Sequence, residues 1–217
     1  MNSNAKGKSA SQYNLKGLLL GLVIVGLVGA GVVFFFVKGL YLLPGKVCEK
    51  SVQRDIAVRA LPRARVADQW ADQHGSGRDF VFNCTVSTSG NSVLSGRVAL
   101  QDTSASGWVD FYRQSAGHHV VSVSKNGVEA LAQTDSDRGF ASVYVPCVPR
   151  DVEANTASDG FALVAQAQVS GESRATGREL SQVVTDFAYQ LSRHAYELAE
   201  CKAQRDFPAE LPRYEDR

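Results

Sequence analysis

Leu18 to Val37 reads LLLGLVIVGLVGAGVVFFFV, twenty residues without a charge or a strongly polar side chain. At ~1.5 Å of rise per residue, a helix of that length covers ~30 Å, the hydrocarbon thickness of a bilayer. The stretch therefore predicts a transmembrane helix within residues 17–43 whose Leu18, Leu22, Val25, Val32, Phe35 and Val37 meet the lipid bilayer. A cleaved signal peptide fits less well, because its apolar region runs ~7–15 residues up to a small-residue exit site. Here Val28-Gly29-Ala30 lies inside the run and VVFFFV follows it. A lipoprotein signal is disfavoured too, since Gly45-Lys46-Val47 places a charge and a branched residue before Cys48. Tyr41 suits the outer interface, and Pro44-Gly45 ends the helix just beyond it.

The flanks of the span differ in character. Residues 1–16 are small, polar and cationic, with no apolar period, which predicts a disordered cytoplasmic tail. The formal charge of +1 hides an asymmetry: residues 1–46 hold five lysines and no acid, which leaves 18 basic against 22 acidic residues beyond. A net acidic domain argues against nucleic acid as a partner, because phosphate contacts need a positive surface. Arg outnumbers Lys in that part and Met1 is the only methionine, a composition that suits a G+C-rich bacterial genome.

Beyond Pro44 the apolar period changes twice. Val52, Ile56 and either Val58 or Arg59-Ala60 give an approximate short helical face with Ser51 as its cap, stopped by Pro62. Phe80, Phe82, Cys84 and Val86 then alternate with polar residues as in a half-buried strand, and Gly90-Asn91 turns it towards Leu94, Val98 and Leu100. Asn126-Gly127 joins VVSVSK to VEALAQT as a tight hairpin. FASVYV and FALVAQAQVS add two strands, the second with Phe161, Leu163, Ala165, Ala167 and Val169 on one face. Thr176 and Glu179 form a capping-box pattern ahead of a stripe through Leu180, Val183, Val184, Phe187, Leu191, Ala195, Leu198 and Cys201. A one-faced helix needs a sheet to cover. The expected fold is therefore α+β: one N-terminal transmembrane helix, then a mostly antiparallel sheet with a short N-terminal helix and a long C-terminal helix packed on it. The domain would span residues 44–203, with 204–217 as a flexible C-terminal tail.

Cys48, Cys84, Cys147 and Cys201 all follow the apolar run and form no CxxC pair. An even, widely spaced set suits two disulfides in an oxidising, extracytoplasmic compartment, which orients the chain better than its flanking lysines do. Of the three connectivities, Cys48 with Cys84 and Cys147 with Cys201 is preferred. Each loop would contribute ~3–4.5 kcal/mol in the chain-entropy account.

The same landmarks carry a resemblance. Cys48, a helix ending Ala60-Leu61-Pro62, Cys84 in a strand, Tyr144-Val145-Pro146-Cys147, and His194-Ala195-Tyr196 ahead of Cys201 together resemble uncharacterised membrane-anchored proteins of streptomycete-type actinobacteria. The first half is also similar to PsbP-like cell-envelope lipoprotein domains, although their lipobox cysteine is missing. The resemblance implies an envelope location and an α+β fold, and brings no catalytic residue with it.

No constellation identifies a reaction. His118 and His119 adjoin, so on a strand they face opposite sides and cannot simply share a metal. His74 reads as solvated and His194 as a packing residue of the last helix. No HExxH, GxSxG or serine-triad signature occurs. Asp135 to Gly139 opens like a calcium loop but lacks the later Glu, and reads as a hairpin connection. Trp70, Trp108 and Tyr112 read as core before groove. No catalytic, cofactor or metal residue is assigned. The reading is a membrane-anchored, non-catalytic extracytoplasmic domain that binds or scaffolds an envelope protein or a small apolar ligand. The alternative is an envelope hydrolase, which would need a deep pocket joining His194 or His119 to a carboxylate and a hydroxyl.

Overall fold

Seven strands satisfy one another's backbone groups in a single antiparallel sheet, and the alternation of the sequence decides what each face shows. A computed structural model describes residues 15–37, 39–114, 120–134, 139–150 and 160–214, with only the backbone described at 15, 16 and 33–37. Residues 1–37 and 38–217 form separate units.

The first unit contains α1 (Leu15–Val37). The expected transmembrane helix needs correction: among the described residues no helix is long and apolar enough to cross a membrane. The side chains described in α1 run from 17 to 32. Leu18, Leu22, Val25 and Val32 are each at least half exposed, and the side chains of Phe35 and Val37 lie outside the described set.

The second unit begins with a 3₁₀ turn (Leu40–Leu42) and then a small hairpin, β1 (Lys46–Val47) and β2 (Val52–Gln53), which leads into α2 (Arg54–Ala60). Ser51 does not cap α2, because the hairpin turn has claimed its hydroxyl for the carbonyl of Cys48 at 2.6 Å. The sheet strands are β3 (Ala67–His74), β4 (Val81–Thr88), β5 (Val93–Asp102), β6 (Val120–Lys125), β7 (Val128–Gln133), β8 (Phe140–Pro146) and β9 (Phe161–Ser170). Their order is β3-β4-β5-β9-β8-β7-β6. Two meanders thus meet where β5 pairs with β9, and β3 and β6 form the edges.

One face of the sheet is apolar. Phe82, Cys84, Val86, Leu94, Val98, Val128, Ala130, Val143, Leu163 and Ala165 are all fully buried there. They pack against α4 (Gly177–Leu198), whose Leu180, Val183, Val184, Phe187, Leu191 and Ala195 form the expected stripe. Each fully buried Leu, Val or Phe stabilises the fold by roughly 1.5–3 kcal/mol. Close approach of helix to sheet is set by Gly96 in β5, since a Cβ there would lie 2.8 Å from Phe187 and closer still to Leu191. Thr176 makes no side-chain capping bond at the start of α4, so the capping box is not formed, and Gly177 enters the helix at φ +53°.

The C-terminal segment is packed rather than loose, at least to Tyr214. Leu211 and Tyr214 are buried, Tyr214 N donates to Gln182 Oε1 at 3.1 Å, and the Tyr214 hydroxyl lies 2.9 Å from Thr185 Oγ1. Phe207 meets Tyr196 edge-on and Tyr189 at a tilt. The segment therefore covers a second side of α4, which buries Gln182, Thr185 and Ser192. Arg59 of α2 reaches Asp186 of the same helix at 3.2 Å.

Cys48 is bonded to Cys84 and Cys147 to Cys201, with Cα separations of 5.6 and 5.2 Å. This is the pairing preferred from the sequence. The first bond ties the β1–β2 hairpin to the sheet, and the second ties the end of β8 to the chain just after α4. Two such bonds fit an oxidising, extracytoplasmic compartment.

Candidate functional site

Among the described residues, the outer face of the sheet, away from α4, is only half covered. Its cover is α3 (Ala105–Gln114), which presents Trp108 and Tyr112 to Leu131, Tyr144, Ala162 and Val164. The Trp108 indole N–H donates to Ser142 Oγ at 3.0 Å, and Ser142 donates in turn to the carbonyl of Ala165 at 2.9 Å. Burial raises the pKa of Tyr112, whose hydroxyl accepts a hydrogen bond from Gln166 Nε2 at 2.5 Å. This layer is a satisfied core.

The uncovered half carries two parallel rows of side chains. Strand register places Asp72, Asn83, Arg97 and Gln166 side by side on β3, β4, β5 and β9. The neighbouring row runs Trp70, Thr85, Ser95, Gln168 and Phe140. At ~4.8 Å between strands, the second row spans ~19 Å from indole to phenyl. A hollow of about 300 Å³ follows the second row and takes in Asn83, Arg97 and Gln166 of the first, and an adjoining one of about 320 Å³ shares Arg97 and Gln166 and continues beyond them towards Arg78 and Gln101. Arg97 is exposed and has no carboxylate partner among the described residues. Trp70 is 58% exposed, against 3% for Trp108. At the edge, His74 Nε2 pairs with Asp72 Oδ2.

These side chains suit binding. Asn83, Gln166, Gln168, Thr85 and Ser95 can each donate and accept, Arg97 adds a planar cationic fork, and Trp70 offers a flat apolar surface. Strands β4, β5 and β9 are paired on both sides, so an extended peptide would find no free backbone there to pair with.

The remaining sequence candidates fall elsewhere. His118, His119 and residues 135–138 lie outside the described residues. His194 packs edge-on against Phe82 with ring centroids 5.2 Å apart. It shares a shallow cleft with Glu197 and Ser51, the three residue types that a hydrolase would need. They do not form a relay: Ser51 is bonded to Cys48, and His194 Nε2 is buried without a hydrogen-bond partner. Among the described residues no group of three or more His, Cys, Asp or Glu could hold a metal ion. Trp70, Trp108 and Tyr112 divide, with the last two in the core and only Trp70 at the groove.

Sequence reasoning missed the groove because β3, ADQWADQH, carries too few apolar residues to read as a strand. Its one signal is the two-residue spacing of Asp68, Trp70, Asp72 and His74, all on the outer face. Set beside known proteins, the chain matches no family model, no curated protein and no solved structure.

Proposed function

We propose that the chain is a non-catalytic, extracytoplasmic binding domain that holds a hydroxyl-rich glycan across the outer sheet face, between Trp70 and α3. The observation that carries this reading is Arg97, without a carboxylate partner among the described residues, in a row with Asn83 and Gln166 and directly beside the row that begins at exposed Trp70. A polar floor favours a hydroxyl- and acetamide-bearing chain over the small apolar ligand expected from the sequence. Sugar rings present apolar C–H faces to an indole and hydroxyls to amides, so both rows would be used. The two disulfides and the resemblance to envelope proteins support an envelope setting for such a ligand.

Tryptophan fluorescence tests the reading, because only Trp70 is open to solvent. Titration of the full chain with chitohexaose, and in parallel with an oligogalacturonate, should shift and quench emission saturably. Trp70→Phe should abolish the change, and Arg97→Ala should weaken binding about tenfold, a loss of ~1.4 kcal/mol. No saturable response to either oligosaccharide, or a response that survives in Trp70→Phe, would sink the proposal.

A further inference from the structure

A second feature lies on the opposite side of the sheet, where the β1–β2 hairpin meets α4. The turn of that hairpin holds three consecutive non-glycine residues in the left-handed region: Cys48 at φ 51°, Glu49 at 56° and Lys50 at 68°. Each such residue costs ~1–2 kcal/mol relative to the right-handed form. Surrounding bonds hold them there. Cys48 is clamped by its disulfide, its N–H donates to Gln69 Oε1 at 2.6 Å, and its carbonyl accepts from both the N–H and the hydroxyl of Ser51. Strain held in this way is common at ligand clamps.

The effect is to gather charge. The hairpin and α4 together line a cleft of about 180 Å³ with Lys46, Lys50 and Arg193, against a single carboxylate, Glu197. None of the three cations has a carboxylate partner among the described residues. His194 lines the same cleft with its Nε2 buried and unpartnered. Gln190 gives its side-chain oxygen to the N–H of Gln53 at 2.7 Å, which leaves its amide N–H groups as donors.

We propose that this cleft binds a phosphoryl group. Cations from the hairpin and from α4, with N–H donors between them, match a tetrahedral oxyanion with acceptors on every side. A planar carboxylate would be satisfied by one guanidinium fork alone. The cleft has room for one phosphoryl group, which either a free phosphate or a lipid headgroup could supply.

Isothermal titration of the full chain with inorganic phosphate at low ionic strength is one arm of the test. Co-sedimentation with phosphatidylglycerol vesicles, against phosphatidylcholine vesicles, is the other. Lys50→Gln and Arg193→Gln should each weaken binding about fivefold, a loss of roughly 1 kcal/mol. Glu197→Gln should strengthen it, and Lys125→Gln, on edge strand β6, should change nothing. Binding of inorganic phosphate with this pattern supports a free phosphate. The pattern on phosphatidylglycerol vesicles alone supports a headgroup. Absence of saturable binding in both arms, or equal weakening by Lys125→Gln, overturns the proposal, whatever the outcome of the oligosaccharide titrations.

Discussion

Trp108 hangs from Ser142: the indole N–H of the helix donates to the serine hydroxyl of β8 at 3.0 Å, within a mainly apolar layer. That bond and the one from Gln166 Nε2 to the Tyr112 hydroxyl tie α3 to the sheet, and so help to set where the open half of the outer face begins among the described residues. Ser142→Ala leaves a buried N–H without an acceptor and should destabilise the fold by ~1–3 kcal/mol. Adding Trp108→Phe removes the orphaned donor, so the double variant should lose less than the sum of the two single losses. Strict additivity in urea denaturation would show that the bond carries no energy.

Gly96 is where β5 and α4 come closest. Gly96→Ala should cost ~1–3 kcal/mol, because the new methyl must displace the packed rings and branches of Phe187 and Leu191. Leu191→Ala in the same chain should recover part of that loss by opening space. A Gly96→Ala variant as stable as the parent would contradict the close helix–sheet packing.

The two disulfides close loops of 36 and 54 residues, each expected to contribute ~4 kcal/mol by restricting the unfolded chain. Replacing Cys147 and Cys201 together by Ala should lower the denaturation midpoint strongly while leaving the native far-ultraviolet spectrum intact. Peptide mapping without reductant should recover the Cys48–Cys84 and Cys147–Cys201 pairs. Finding four free thiols would remove the argument for an oxidising compartment as well.

Burial of the Tyr189 hydroxyl pushes its pKa up to about 12 from 10.0, with Arg193 opposing and Asp206 adding to the shift. Tyr214 is raised as well, by burial first, with the Thr185 hydrogen bond opposing and Asp186 adding. A raised folded-state pKa means that the native protein binds the proton more tightly than the unfolded chain. The associated stability is therefore fully present below about pH 10 and is lost as pH climbs towards about 12. Stability measured from about pH 8 to 11 should be flat and then fall, and Tyr189→Phe should flatten the fall. An alkaline limb unchanged in Tyr189→Phe would remove Tyr189 from that account.

Much of the inner architecture was legible because it rests on local periods. The alternation through Phe80–Val86 and the stripe from Leu180 to Ala195 state which side chains share a face, and both faces are buried as read. Asn126-Gly127 specified its turn, with both residues at positive φ. Predicted caps fared worse. Ser51 and Thr176 have the right chemistry for N-caps, but the turn after Cys48 and the positive φ of Gly177 decide what those hydroxyls can reach.

The sequence by itself determined the composition of each face and the four cysteines available for cross-linking, because side-chain period and residue chemistry are properties of the nearest few residues. Only the tertiary structure decided that polar β3 completes the sheet, that α3 packs on the outer face over Leu131, Tyr144, Ala162 and Val164, and that residues up to Tyr214 lie back on α4. Neighbours in the sheet come from pairings between distant segments, as when Arg97 meets Gln166 across β5 and β9. No local period records such a pairing, and it is the pairing that sets Trp70, Arg97 and the amides side by side.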